Sequence, residues 1–242
     1  RYYFFGVFRL MLNSKIAKRR RLQNRISEMM IGCWAGNYAF QKRAFDILVS
    51  CGLLVVLAPI CVGLLVLNPF LNRGPLFFFQ DRMGKNCQRF TTWKFRSMTV
   101  HESVFENVPG ERDASTGTRG AFDPLDSHRV TPLGHMLRRT RIDELPQIIN
   151  VLRGEMSLVG PRPDAYSHAQ TYLREVPGYR ARLSVLPGIS GLAQVNVGYV
   201  DDRDGFVRKV EEDLHYLSVA TMWIDLWIAK RTVATVLGFR GI

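Results

Sequence analysis

Residues 47–67, from Ile47 to Leu67, form an apolar run without one charged side chain. As a helix the run is about as long as the ~30 Å hydrocarbon core of a bilayer. A soluble core helix rarely goes so far without a polar face. Pro59 sits inside the run. It has no N–H to give the Val55 carbonyl, and an unpaired carbonyl in lipid is costly, so a kink or break is expected there. Both flanks are basic: Lys42 and Arg43 before; Arg73, Arg82, Lys85, Arg89, Lys94 and Arg96 after. A straight crossing would carry one basic flank away from the cytoplasmic side, against the usual bias. We therefore read residues 41–72 as a re-entrant, Pro-broken membrane helix in preference to a kinked full span.

Residues 1–40 are aromatic and then strongly basic, with Tyr2, Tyr3, Phe4, Phe5 and Phe8 ahead of Lys15, Lys18, Arg19, Arg20, Arg21 and Arg25. The order is the reverse of a secretory signal. It suits an anionic membrane surface, or equally a solvated helix that ends an upstream region, since the chain starts on Arg1. The formal charge of +12 favours an anionic partner, and 47% apolar residues argue against general disorder. Cys33, Cys51, Cys61 and Cys87 form no C-x-x-C pair, so free thiols are expected, with no zinc site.

After the run, Gly74-Pro75 signals a turn. Residues 76–80 and 90–95 look like short strands. Residues 101–127 are polar and aperiodic and look like a long loop, either a lid or a passive surface loop. Leu145, Ile148, Ile149 and Leu152 recur at helical spacing, and Gly154 closes that helix. Residues 169–175 and 205–217 read as further helices. Residues 218–237 carry Trp223 and Trp227 beside Lys230 and Arg231, which suits either a membrane-interface helix or one packed on the core. Residues 73–242 are thus read as a small α/β, mostly α, domain whose C-terminal helix is either interfacial or packed on the core.

Three segments carry charge suited to phosphate chemistry. Asp143 and Glu144 precede Pro146, which is tolerated only in a first helical turn, so both acids stand at a helix start. Arg138, Arg139 and Arg141 lie just upstream, and their field is expected to lower the carboxylate pKa values. An ordinary helix start capped by Asp143 or Thr140 has the same pattern. Pro161-Arg162-Pro163 presents one arginine on a rigid turn, either a phosphate clamp or a plain surface turn. Lys94 and Arg96 alternate around Phe95 and would share one strand face. Residues 186–191, Leu-Pro-Gly-Ile-Ser-Gly, form a turn where backbone could approach a ligand closely.

In this order the segments resemble the monotopic phosphoglycosyl transferases, a family of bacterial sugar transferases. The matching stretches are Lys42-Arg43-Ala44-Phe45-Asp46, the apolar run, residues 74–80, Lys94-Phe95-Arg96-Ser97-Met98, Asp143-Glu144-Leu145-Pro146-Gln147, residues 150–163 and residues 187–196. The resemblance covers roughly residues 41–237. It implies a re-entrant membrane helix, interfacial helices and a cytoplasmic catalytic domain at the bacterial inner membrane. It also implies transfer of a sugar 1-phosphate from a UDP-sugar to a polyprenol phosphate such as undecaprenyl phosphate, which begins exopolysaccharide, capsule, O-antigen or glycoconjugate synthesis. Asp143 would be the nucleophile and Glu144 the Mg²⁺ partner. Arg138 and Arg162 would hold phosphates, with Lys94 or Arg96 assisting. The pattern leaves room for a homo-oligomer.

The chain departs from the family pattern at Leu186, where an arginine is usual, at Ser190 for threonine, and at Val197-Gly198. Residues 101–127 have no counterpart in it. The charge alone also fits a nucleic-acid binder or a non-catalytic membrane scaffold. No RNP, zinc-finger or helix-turn-helix signature supports the first, and no nucleic-acid partner is expected.

Overall fold

The computed structural model describes residues 37–72, 74–99, 130–198 and 203–238. The basic segment up to residue 36 and the polar 101–127 segment lie outside the described residues. Those described are mostly helical, with two small two-stranded sheets.

Helix α1, Asn37–Leu71, runs for 35 residues and is long and apolar enough to cross a membrane. It stays helical through both Pro59 and Pro69, so the break expected at Pro59 is not an interruption of secondary structure. A proline removes one hydrogen bond, but the ladder can close again on either side. Lys42, Asp46, Ser50, Leu57, Leu64 and Asn68 are buried, spaced by four or seven residues along one stripe. That stripe lies against the rest of the protein. The opposite side exposes Phe40, Leu48, Val55, Val62, Val66 and Phe70.

Strands β1, Phe77–Met83, and β2, Arg89–Phe95, form an antiparallel hairpin with Phe79 opposite Trp93 and Phe77 opposite Phe95. Its tight connection puts Asn86 and Cys87 at positive φ. One face is aromatic, with the Phe79 and Trp93 rings edge to face at 5.0 Å. By alternation the other face carries Gln80, Arg82, Thr92 and Lys94.

Helix α2, Pro132–Arg139, is capped by the Thr131 hydroxyl, which accepts from the Gly134 N–H at 3.0 Å. A Cβ on Gly134 would stand 1.9 Å from the Ser97 carbonyl oxygen, so only glycine lets the helix approach this strand exit. After α2, Arg141 turns the chain in the left-handed conformation, φ 57°. A 3-10 helix, Ile142–Gln147, then leads into α3, Ile148–Arg153. The expected helix start is thus a 3-10 turn, and no side chain caps it, neither Asp143 nor Thr140. Gly154 ends α3 at φ 79°, as its position suggests.

Strands β3, Ser157–Val159, and β4, Gly188–Ser190, pair in parallel. Between them lie α4, Tyr166–Glu175, and α5, Tyr179–Arg182; α6, Leu192–Asn196, α7, Arg203–Val219, and α8, Met222–Leu237, follow. Leu57 and Leu64 of α1 pack with Phe95, Leu133, Leu137 and Ile148, each burial contributing about 1.5–3 kcal/mol. Helix α8 has two faces. Ile228 and Asp225 are buried, while Trp223, Leu226, Trp227 and Val233 point outward. Asp225 is held by the Lys42 ammonium at 2.6 Å and by the hydroxyls of Tyr38 and Tyr216 at 2.9 and 2.7 Å. A carboxyl group buried without such partners is costly.

Candidate active site

The 3-10 helix packs across β2 and sets Asp143 and Glu144 beside the polar face of the hairpin. Lys94 reaches up from that face and donates to Glu144 Oε1 at 2.9 Å. Arg162 arrives from the other side and grips both oxygens of the same carboxylate, Nη1 to Oε2 at 3.1 Å and Nη2 to Oε1. Fork-on-carboxylate geometry is the strongest form of such a pair. Asp143 differs. It is 8% exposed, and its Oδ1 is buried with no hydrogen-bond partner.

These environments push the two acids apart. Burial raises the Asp143 pKa to about 6, the Glu144 charge adds to the rise, and Lys94, Arg141 and Arg138 only partly oppose it. The expected lowering by upstream arginines is therefore overturned at Asp143, because desolvation outweighs charges that do not touch the carboxylate. For Glu144 burial also pulls upward, but Arg162 and Lys94 outweigh it and hold the carboxyl well below its ordinary range. The ends of the Lys94–Glu144 pair respond unequally. Burial brings Lys94 down to about 8 despite Glu144, since Arg82 and Arg162 also repel its charge.

The backbone of the Pro-Arg-Pro turn is held from behind. Arg182, almost wholly buried, donates to the Arg162 carbonyl at 2.7 Å and to Asp164 Oδ2 at 2.6 Å, and pairs with Asp213 at 2.8 Å. Tyr179 donates to Asp164 Oδ2 at 2.8 Å, and Arg82 donates to the Pro163 carbonyl. Three glycines interlock beneath. A Cβ on Gly188 would stand 2.1 Å from the Gly160 nitrogen, and one on Gly191 2.3 Å from its oxygen. The glycines of the 186–191 turn thus serve close backbone packing, and the approaching partner is the 160–161 backbone itself.

Of the residues singled out from sequence, Asp143, Glu144, Lys94 and Arg162 converge. Arg138 stands at the edge, its Nε donating to Ser97 Oγ at 3.1 Å, and its charge acts on Asp143. Arg96 lies elsewhere. Its guanidinium binds the carbonyls of Asn72, Pro75 at 2.7 Å and Met98 at 3.4 Å, where the end of α1 leaves acceptors unpaired. Sequence reasoning passed over Arg82, although its alternation with Gln80 on a strand opposite Lys94 was a usable signal. Asp164, Arg182 and Asp213 carried no local signal.

For a divalent cation, among the described residues no group of three or more His, Cys, Asp or Glu side chains gathers. Mg²⁺, however, commonly takes one or two carboxylates with substrate phosphates and water. Glu144 Oε2 accepts one hydrogen bond against Oε1's two, so it keeps an acceptor position, and Oδ1 of the adjacent residue Asp143 has no hydrogen-bond partner. The pair fits a cation shared with a phosphorylated ligand.

The sequence profile of the bacterial sugar transferase family matches residues 37–239. The chain belongs to that family. Among curated sugar transferases it is similar to a UDP-N-acetylgalactosamine-undecaprenyl-phosphate N-acetylgalactosaminephosphotransferase of Aeromonas hydrophila, 39% identical over 200 residues, 83% of this chain and 44% of that one. A UDP-glucose:undecaprenyl-phosphate glucose-1-phosphate transferase of Escherichia coli (strain K12) is 40% identical over 196 residues, 79% of this chain and 39% of that one. Exopolysaccharide production protein PSS of Rhizobium leguminosarum bv. phaseoli is 38% identical over 199 residues, 80% of this chain and 94% of that one. The chain thus spans about two-fifths of the length of the first two.

Proposed function

We propose that this bacterial sugar transferase moves a sugar 1-phosphate from a UDP-sugar to a polyprenol phosphate, through a covalent intermediate on Asp143. The observation that carries the reading is the contrast within the acid pair: Glu144 is clamped by two cations, while Asp143 keeps a buried oxygen without a partner. A carboxylate stripped of solvent and hydrogen bonds is a stronger nucleophile than a hydrated one. The names of the relatives, with their UDP-sugars and undecaprenyl phosphate, point the same way.

In the first step an Asp143 oxygen bonds to the phosphorus next to the sugar. The bond from that phosphorus to the bridging oxygen breaks, and UMP leaves with the bridging oxygen. In the second step an oxygen of polyprenol phosphate attacks the same phosphorus. The bond to Asp143 breaks, the carboxylate is restored, and a lipid diphosphosugar forms. Lys94, Arg162 and Arg138 supply positive charge where phosphoryl oxygens gather. Glu144 would hold Mg²⁺ with the donor diphosphate, and the ion would neutralise charge there.

A lipid acceptor requires a site at the membrane. The apolar outward face of α1 and the exposed tryptophans of α8 support seating there. We read α1 as re-entrant, with both flanks at the cytoplasmic face of the inner membrane. Both ends of the helix touch the same body, Lys42 at Asp225 and Asn72 at Arg96, and Leu57 and Leu64 between them pack on it too. Single cysteines placed at positions 40 and 73 in intact cells test this: labelling of either by an impermeant thiol reagent from outside rejects it.

The activity test is UMP release from a panel of UDP-sugars with polyprenol phosphate and Mg²⁺. Release that is lost in Asp143→Ala, with a phosphosugar adduct on Asp143 by mass spectrometry, is expected. Folded protein that releases no UMP from any donor rejects the reading.

A further inference from the structure

Helix α1, with Asn72 just after it, bonds to the segments that adjoin Asp143, Arg162 and Lys94. The Arg43 guanidinium donates to the last carbonyls of α3, Val151 at 2.7 Å and Leu152 at 3.0 Å. Helix α3 continues directly from the 3-10 helix that carries Asp143 and Glu144. One turn further along α1, Asp46 Oδ1 accepts from the Leu158 N–H of β3 at 3.0 Å. Strand β3 ends one residue before Gly160-Pro161-Arg162. At the far end, Asn72 donates to the Arg96 carbonyl at 2.9 Å, two residues after Lys94.

These bonds do more than attach a helix. The 3-10 helix and α3 together form a short rod of twelve residues, Ile142–Arg153. A rod of that length is not stable by itself. The Gly154 N–H already caps the Asn150 and Val151 carbonyls, and Arg43 adds a second donor to Val151 and one to Leu152, at the end where the rod would fray. A guanidinium on those carbonyls fixes the rod's far end and complements its dipole. The near end carries Asp143. Asp46 likewise fixes the strand from which Arg162 is presented. The apolar stripe supplies adhesion, but these polar contacts set register.

We infer that Arg43 of the membrane helix is a positioning residue for the catalytic carboxylates, so that α1 sets the geometry of the site as well as anchoring the protein. The inference rests on the phosphoryl-transfer reading above. The membrane helix and the site then act as one unit. A displacement of about 1 Å at a reacting atom can cost on the order of 100-fold in rate. Loss of the Arg43 contacts therefore appears mainly in kcat, with the donor KM little changed, and lets water reach Asp143.

The test compares wild type, Arg43→Gln and Arg43→Lys in nanodiscs by UMP release, donor KM, melting temperature and membrane-bound fraction. For Arg43→Gln we expect kcat to fall by about 10–100-fold with KM within about threefold. Arg43→Lys, with one ammonium for two carbonyls, should fall between the two. Membrane binding should be unchanged in both. An Arg43→Gln protein with wild-type kcat overturns the inference. So does one that loses activity only in proportion to its unfolded fraction. If Arg43→Gln does not fold, Arg43→Lys decides by the same split of kcat from KM. Wild type that releases no UMP rejects the reaction itself, whereas wild-type turnover with unaltered variants rejects only this role for Arg43.

Discussion

Arg162 grips both oxygens of Glu144 and leaves its chain neighbour Asp143 with an unpartnered buried oxygen. Adjacent acids on one short 3-10 helix thereby acquire opposite properties. One is a fixed anion that organises cations. The other is a poorly solvated carboxyl with one buried oxygen left without a partner.

The first consequence concerns stability. Asp143 has its folded pKa raised to about 6, so the folded state binds a proton more readily than the unfolded chain. Stability then falls as pH rises from the unfolded value to about 6, and the whole cost is present above that. Asp143→Asn should abolish UMP release yet be more stable at pH 7.5, by on the order of 1–3 kcal/mol. Thermal melting checks this, and the advantage should vanish near pH 4.

Activity should carry the same group. Single-turnover UMP release is expected to rise with pH through a limb near 6, where Asp143 becomes ionised. A burst amplitude that is flat from pH 5 to 7.5 would count against Asp143 as nucleophile.

Glu144 should behave in the opposite sense. Its folded pKa is depressed, so its contribution is fully present above the unfolded value and is lost as pH falls through the folded one. Glu144→Gln strands Lys94 and Arg162 without a counter-charge and should destabilise by about 3–5 kcal/mol. Denaturant titration at pH 7.5 would show Glu144→Gln and Asp143→Asn moving in opposite directions.

Arg96 is predicted to matter for folding and not for the donor. Arg96→Ala frees the Asn72, Pro75 and Met98 carbonyls and should destabilise by about 2 kcal/mol or more. The donor KM of the remaining folded enzyme should be unchanged. A raised KM at unaltered melting temperature would restore Arg96 to the phosphate site.

Much of the site was legible because its signals are local. Pro146 places Asp143 and Glu144 in a first turn, paired prolines frame Arg162, and strand alternation points Lys94 away from Phe95. Arg96 shares the parity of Lys94, but parity ends where the strand ends. Past Phe95 its guanidinium turns to carbonyls at the end of α1. Likewise Arg182 and Asp213 stand in unremarkable helical sequence, and nothing nearby marks them as the support behind Arg162.

By itself the sequence determined the apolar run, its basic flanks, the hairpin and the order of the acidic and basic motifs, since each depends on neighbours within a turn or a strand pair. Only the tertiary structure decided that α1 stays helical past Pro59 and lies along the body that holds the acid pair, where its ladder and its buried stripe outweigh one lost hydrogen bond. Only it decided that Asp143 rises while Glu144 falls. The reason is that burial and charge pairing act through space, and the groups that divide the two acids come from positions 94 and 162, far away along the chain.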